Sequence, residues 1–383
     1  MKTDTVKGFR DIEDAGKRSK ILEIIERTFR LYNYKRVETP IIEYEEFVKG
    51  DNEKDEAVSD IFKLSDKGNR KLALRYEFTF QLKRLMKNKK LPYKRYQIGP
   101  VFRNEPISGN RWRQFTQCDM DVIGARIEDV GEILAMTSNL LDELKVKSTI
   151  YVNNRKLLNE ILESVGIVDD KEEVIREIDK LDKLGEKEVR ANLKRYEADK
   201  VLSIFKKDEK YFERFDGYKD IKKLKRLLKV YGVKVKFSPF LARGLSYYNW
   251  IVFEVKSNVK ETITAGGGSY MINNVQGSGI SFGLDRLEVI SKIEDDVKKV
   301  LIINMDSNKE SIGIADKIRK EGVVCEVYNG KIGKGLDYAN SIGIDKVIIV
   351  GEEEVKSKKY TFKNMKSGKE KKVNEEELLR SLK

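Results

Sequence analysis

The sequence predicts an α+β fold in three parts: a core of strands and helices, a helical insertion within it, and a small α/β domain at the C-terminal end. Three observations carry this reading. Residues 94–104 and 114–123 read as strands, and the turn-forming PISGN at 106–110 joins them as a hairpin. Residues 154–230 then change character, with Lys/Glu-rich helical patterns such as KLLNEILESV and DIKKLKRLLKV and no glycine-rich site segment. From Val297 onward VLIIN, a helix at 309–320, VVCEV, a helix at 333–341 and KVIIVG alternate as β-α-β-α-β, the pattern of a mostly parallel sheet. The expected boundaries are a core of 1–153 and 231–296, an insertion of 154–230 and a C-terminal domain of 297–383.

The elements follow in order. Ile21, Leu22, Ile25 and Phe29 recur at helical spacing between Lys17 and Tyr32. A β-like stretch from Tyr34 to Val37 is broken at Pro40, and 71–75 reads as a further strand. After the hairpin, Val130, Ile133, Leu134, Leu140, Leu141 and Leu144 mark a long amphipathic helix. Strand signals return at 233–238 and 249–256, followed by TAGGG and ISFGLDRLEVI.

Composition narrows the chemistry. Lys and Arg number 77 against 64 Asp and Glu, and the net charge of +13 favours a polyanionic partner. Cys118 and Cys325 lie too far apart in sequence to suggest a redox or zinc motif. No run of about 18 apolar residues is present, so a soluble, cytoplasmic chain with no membrane association is expected. The chain has no histidine. That excludes Ser-His and Cys-His nucleophiles and leaves no metal site built on His or Cys. Arg, Lys, Asp, Glu and Tyr remain, an inventory suited to phosphoryl and nucleotidyl transfer.

The richest stretch is YQIGPVFRNEPISGNRWRQFTQCDMDVIG, residues 96–124. Alternation along a strand puts Arg113, Phe115, Gln117, Asp119 and Asp121 on one face and Thr116, Cys118, Met120 and Val122 on the other. The second face suits a core. The first suits a nucleotide platform, with a ring on Phe115, an Arg at a phosphate and carboxylates to accept amine protons.

FRNE, a short loop and RWRQFTQCDMDVIG resemble motif 2 of class II aminoacyl-tRNA synthetases, in the form found in the histidyl family. LRYEFT (74–79) is similar to that family's amino-acid-binding stretch, LARGLSYYNWIVFEV (241–255) to its histidine signature and ISFGLDRLEVI (280–290) to motif 3. YKRVETPIIE (34–43) looks like motif 1, and KGFRDIED (7–14) like the usual N-terminal segment. The matches are collinear and, with the C-terminal alternation, cover nearly everything but the insertion.

The resemblance implies an antiparallel sheet flanked by helices, a homodimer with motif 1 around Pro40 at its interface, an anticodon-reading C-terminal domain and an insertion near the tRNA acceptor arm. It implies activation of histidine by ATP, with Mg²⁺ on the phosphates, and transfer to tRNA(His). Arg103, Arg243 and Arg286 would be catalytic. Arg103 would meet the α-phosphate and the substrate carboxylate, Glu105 the adenine amino group, and Phe115 the adenine ring. Arg111 would contact ATP, Arg286 would hold the γ-phosphate, and Arg243 would sit opposite the α-phosphate. Glu77, Thr79 and Gln117 would accept from the histidine ammonium, with Phe78 in the same stretch. A neutral imidazole needs one acceptor and one donor, which Asp121 and Tyr247 or Tyr248 can supply.

Two departures remove charge beside this pocket. Ser246 stands where the family signature has Asp, and the segment GGSYM puts Ser269 and Met271 where the family has charged residues. A synthetase-like regulatory subunit of ATP phosphoribosyltransferase, or a sensor of uncharged tRNA, is the alternative. Arg103, Arg286 and residues 297–383 favour the enzyme.

Overall fold

The computed structural model describes residues 3–50, 56–107, 111–244, 246–258, 263–294 and 297–382. The last part of the expected turn, 108–110, lies outside the described residues, as does Leu245 of the histidine signature. Contacts divide the chain into two compact units, Met1–Ile293 and Glu294–Lys383.

The first unit is built on an eight-stranded sheet. From one edge its strands run Lys35–Arg36, Tyr93–Phe102, Gln114–Ile123, Val275–Gly283, Ile263–Ile272, Tyr248–Ser257, Ser148–Asn154 and Val235–Phe237. The six inner strands pair antiparallel, as expected. Both outermost strands instead pair parallel with their neighbours. A parallel pair needs a long crossover, and this sheet has two. One runs from 37 to 92, and the other is the whole helical segment between Asn154 and Val235. The strand expected at 71–75 forms as Lys71–Leu74, but in a separate three-stranded sheet with Ile42–Tyr44 and Lys63–Ser65.

One face of the large sheet is dry. Cys118, Met120 and Val122 point into a core with Ile21, Ile25 and Phe29 of the helix Gly16–Leu31 and with Val130, Ile133 and Leu134 of Ile127–Glu143. Burying side chains of this size is worth about 1.5–3 kcal/mol each, which fixes the hairpin's register and commits its alternate residues to the opposite face. The insertion helices join the same core through Leu157, Ile161, Val174, Leu224 and Leu228.

The second unit has five strands in the order Val324–Asn329, Lys299–Asn304, Lys346–Val350, Tyr360–Asn364, Glu370–Val373. The first three are parallel, with helices Asn308–Lys320 and Ile332–Ser341 as crossovers. The last two, absent from the sequence reading, add antiparallel strands. Their KKYTFKN and KEKKV segments are too lysine-rich for an apolar run, because their exposed face is solvated.

Candidate active site

The other face of the large sheet floors a cavity of about 580 Å³. Register sorts its side chains into rows. Gln97, Asp119 and Ser281 stand side by side on three neighbouring strands, as do Arg95, Asp121 and Gly279. Two glycines keep the floor low. A Cβ on Gly279 would strike the Asp121 carboxylate, and one on Gly266 would lie 2.6 Å from the Arg243 guanidinium.

One end of the cavity is carboxylate-rich. Glu77 accepts a hydrogen bond from the Tyr247 hydroxyl at 3.0 Å through Oε2, while its buried Oε1 has no hydrogen-bond partner among the described residues. Burial pushes the Glu77 carboxyl up to about 7, against the opposing pull of Arg103 and the Tyr247 hydroxyl. Burial likewise pushes Asp119 up to about 7, with Arg95 and the Ser281 hydroxyl opposing it. Gln117, which lines the cavity, donates to Ser281 at 2.8 Å, and its buried carbonyl oxygen has no hydrogen-bond partner among the described residues.

Asp121 is less available than its place in the sequence implies. Its Oδ2 lies 2.7 Å from Nη2 of the fully buried Arg95, and its Oδ1 accepts from the Tyr270 hydroxyl. A ring N–H would therefore meet a carboxylate whose Oδ1 is already hydrogen-bonded and whose Oδ2 is ion-paired but accepts no hydrogen bond among the described residues. Asp121→Ala should also remove the nearest carboxylate from a buried guanidinium. Breaking one side of a buried pair costs about 3–5 kcal/mol. We expect the lower end of that range in urea unfolding, since Asp119 also faces Arg95. An unchanged unfolding midpoint would mean that the pair contributes nothing.

The raised carboxyls set a pH dependence. A carboxyl with a folded pKa above its unfolded value stabilises the protein at low pH, and this is lost as pH rises through the folded value. Stability without substrate should fall between about pH 4.5 and 7, a window set by Glu77 and Asp119. An ammonium ligand needs them ionised, so histidine affinity should rise from about pH 6 to 8. Calorimetric binding at both pH values checks this, and a flat affinity would exclude both groups as ammonium acceptors.

The other end is arginine-rich. The Arg103 Nε donates to the Tyr76 carbonyl at 3.2 Å, and its guanidinium lies 5.2 Å from the Phe115 ring centre. Glu105 lies 3.9 Å from Arg103 and 3.8 Å from Arg111. The Arg286 pKa is lowered by burial and then by Arg111, Arg103 and Arg243, so four guanidiniums crowd one space. Asp285, beside it, is held by Arg10, Arg18 and the Thr116 N–H, which anchors the start of the helix Leu284–Ile290. Arg243 stands at φ 65° with Nη1 2.7 Å from Glu254. Arg103 influences both Glu77 and Arg286 and so joins the two ends.

Glu77, Thr79, Arg103, Glu105, Arg111, Phe115, Gln117, Asp121, Arg243, Tyr247, Tyr248 and Arg286 all line this cavity. Phe78 does not. It is fully buried, with its ring 4.7 Å from the Arg75 guanidinium, and its carbonyl accepts from Arg95, so it props the wall. Arg113, placed on the polar face by alternation, packs instead against Gly8 and donates to the Glu105 carbonyl. Sequence reasoning gave Asp119 no individual role and counted it only among the amine-accepting carboxylates of the site face, where alternation with Gln117 and Asp121 put it. It missed Asp179, Asp182, Lys183, Glu254 and Lys256, which also line the cavity. Glu254 and Lys256 alternate along a strand and were findable. The three insertion residues carry no local signal.

A helix-flanked, mainly antiparallel sheet whose open face gathers arginines at one end and carboxylates at the other defines a class II aminoacyl-tRNA synthetase. Residues 8–287 match the family model for histidyl-tRNA synthetase, and residues 299–383 match that for the anticodon binding domain. The chain belongs to the histidyl-tRNA synthetase family. Histidine–tRNA ligase 1 of Bacillus cereus is 35% identical over 97% of this chain and 98% of its own length. The histidine–tRNA ligase of Helicobacter pylori (strain J99) is 33% identical over 94% and 93%. The fold is shared with histidyl-tRNA synthetase from Nostoc sp. PCC 7120, at TM-score 0.85 and 22% identity over 100% of this chain and 99% of that one. It is also shared with an ATP phosphoribosyltransferase regulatory subunit/histidyl-tRNA synthetase from Bacillus halodurans C, at TM-score 0.75 and 22% identity over 91% and 98%.

Proposed function

We propose that this chain activates histidine with ATP and transfers it to tRNA(His). The observation that supports this best is the two-ended cavity joined at Arg103. An amino acid needs acceptors for its ammonium, and Glu77, Thr79 and Gln117 offer them. A triphosphate needs cations, and Arg103, Arg111, Arg243 and Arg286 supply them, with the burden that the first three place on Arg286 relieved by a bound anion. Where the two ligands meet, a histidine carboxylate oxygen bonds to the α-phosphorus and the bond to pyrophosphate breaks. Arg103 and Arg243 offset the charge that builds on the phosphorus oxygens. A terminal ribose hydroxyl of tRNA then attacks the activated carbonyl, and AMP leaves. Neither step requires a side-chain base, in keeping with a chain that has no histidine.

Phe115 would carry the adenine ring and Glu105 its amino group. Tyr247 and Tyr248 would border the imidazole, with Asp121 as the acceptor it shares with Tyr270 and Arg95. Among the described residues no cluster of three or more His, Cys, Asp or Glu side chains could hold a metal by itself. Mg²⁺ would be carried mainly by the ATP phosphates, with Glu254, 2.7 Å from the Arg243 guanidinium, on the wall beside them, and when bound it would offset phosphate charge. The exposed Ile41, Ile42 and Tyr44 beside Pro40 suit a homodimer contact. No helix among the described residues is long and apolar enough to cross a membrane. The test is charging of purified tRNAs with labelled histidine. Label should enter tRNA(His) alone, and absence of charged tRNA would favour a regulatory role.

A further inference from the structure

A charge lies beneath the part of the cavity read above as the ring subsite. Arg95 is fully buried on the strand Tyr93–Phe102, directly opposite Asp121, and it does not line the cavity. Its Nη2 donates to the Phe78 carbonyl at 3.1 Å and lies 2.7 Å from Asp121 Oδ2, while Nε and Nη1 have no hydrogen-bond partner among the described residues. Taking a guanidinium out of water is costly unless a carboxylate balances it. Among the described residues, Asp121 is the one carboxylate that forms an ion pair with Arg95.

The carboxylate is held in turn. The Tyr270 hydroxyl donates to Oδ1 from the strand Ile263–Ile272, and bare Gly279 on the strand between leaves it room. Oδ2 accepts no hydrogen bond among the described residues, so it is the atom open to a ring N–H. Burial pushes the Asp121 carboxyl up, and Arg95 is the larger of the two groups that oppose the shift.

Charge balance then decides which form of the ring fits. Asp121 and Arg95 together are neutral. An imidazole that donates its N–H keeps that balance, whereas an imidazolium adds a buried positive charge with no counter-ion. The other groups facing the pair do not supply one below neutral pH. Burial pushes Glu77 and Asp119 up to about 7, and Arg103 beside Glu77 is a further cation. Tyr34 on the dry face, Tyr93 on the strand of Arg95, Tyr247, Tyr248 and Tyr270 are all raised by burial and stay uncharged.

We infer that Arg95 is a positioning residue that sets specificity: paired with Asp121 beneath the floor, it makes the ring subsite accept the neutral imidazole and refuse the imidazolium form. The inference rests on the histidine reading given above.

The first test uses the full chain and histidine with labelled ring nitrogens at about pH 6, where most of the free ring carries the second proton. Nitrogen NMR of the bound ligand should show one protonated and one unprotonated ring nitrogen. Two protonated nitrogens overturn the inference and leave the histidine reading standing, whereas no bound ring at all ends both. The second test assigns the effect to Arg95 through triazolylalanine, whose ring has an N–H but is too weakly basic to take a further proton. In Arg95→Met the unbalanced Asp121 shares a proton with a basic ring. The loss in kcat/KM for pyrophosphate exchange should therefore be about tenfold smaller for histidine than for triazolylalanine. A merely structural role would cost both substrates equally, and equal losses overturn the inference. Arg95→Lys keeps the charge and should keep the wild-type ratio. Arg95→Met combined with Asp121→Asn removes both charges but leaves an amide acceptor, and should return the ratio to within about threefold of wild type. If Arg95→Met alone does not fold, this double variant decides, and a ratio shifted tenfold toward histidine in it overturns the inference.

Discussion

Arg243→Ala should slow histidine-dependent adenylation by on the order of 10²–10³, the usual loss on removing one preorganised charge donor from a developing oxyanion. Arg243 is one of four guanidiniums at the arginine-rich end of the cavity, and it alone stands on a left-handed backbone with a glycine cleared beneath its side chain. The change should leave folding intact. Glu254 loses its closest partner but keeps Lys256 at 3.6 Å, so no uncompensated buried charge results. Pyrophosphate exchange, with circular dichroism as a folding control, measures both. A variant within about threefold of wild type would remove Arg243 from the chemistry.

A chain ending near residue 296 should keep adenylation and lose transfer. Every cavity-lining residue lies at or before Arg286. Residues beyond 296 have their own cores, one around Val300, Ile302, Ile348 and Leu378 and another around Leu301, Ile303 and Ile349. Removing them therefore opens no core of the first unit. If this unit grips the anticodon arm, its loss costs the benefit of two linked contacts, typically 10²–10⁴ in affinity. Charging should fall by on the order of 10² at limiting tRNA, and the salt dependence of tRNA binding should become shallower as phosphate contacts are lost. Equal loss of exchange and charging would assign the unit a structural role. Undiminished charging would end the anticodon reading.

What could be read from the sequence follows from the range of the forces involved. The hairpin 93–123 was legible because its alternation is local, and its apolar face is the core that Cys118, Met120 and Val122 fill. The helices at 16–31 and 127–143 were legible for the same reason at a longer period. The two edge strands also showed as β signals at 34–37 and 233–238, but their parallel pairing was not legible, because Lys35–Arg36 and Val235–Phe237 owe it to crossovers of dozens of residues. At the site, residues on recognisable motifs were found together. The Arg95–Asp121–Tyr270 contact was hidden, since it joins three strands and no single segment shows it. Asp179 was hidden more deeply. Nothing in KEEVIREIDKLDKLG says that Asp179 lines a cavity floored by distant strands and lies against Gly244.

The most direct test of the account is ATP–pyrophosphate exchange by the purified full-length chain, run with each amino acid in turn and without tRNA. The two-ended cavity predicts exchange that depends on histidine and on no other amino acid, strengthening from about pH 6 to 8 as Glu77 and Asp119 ionise. No exchange with histidine, or equal exchange with a second amino acid, would contradict it.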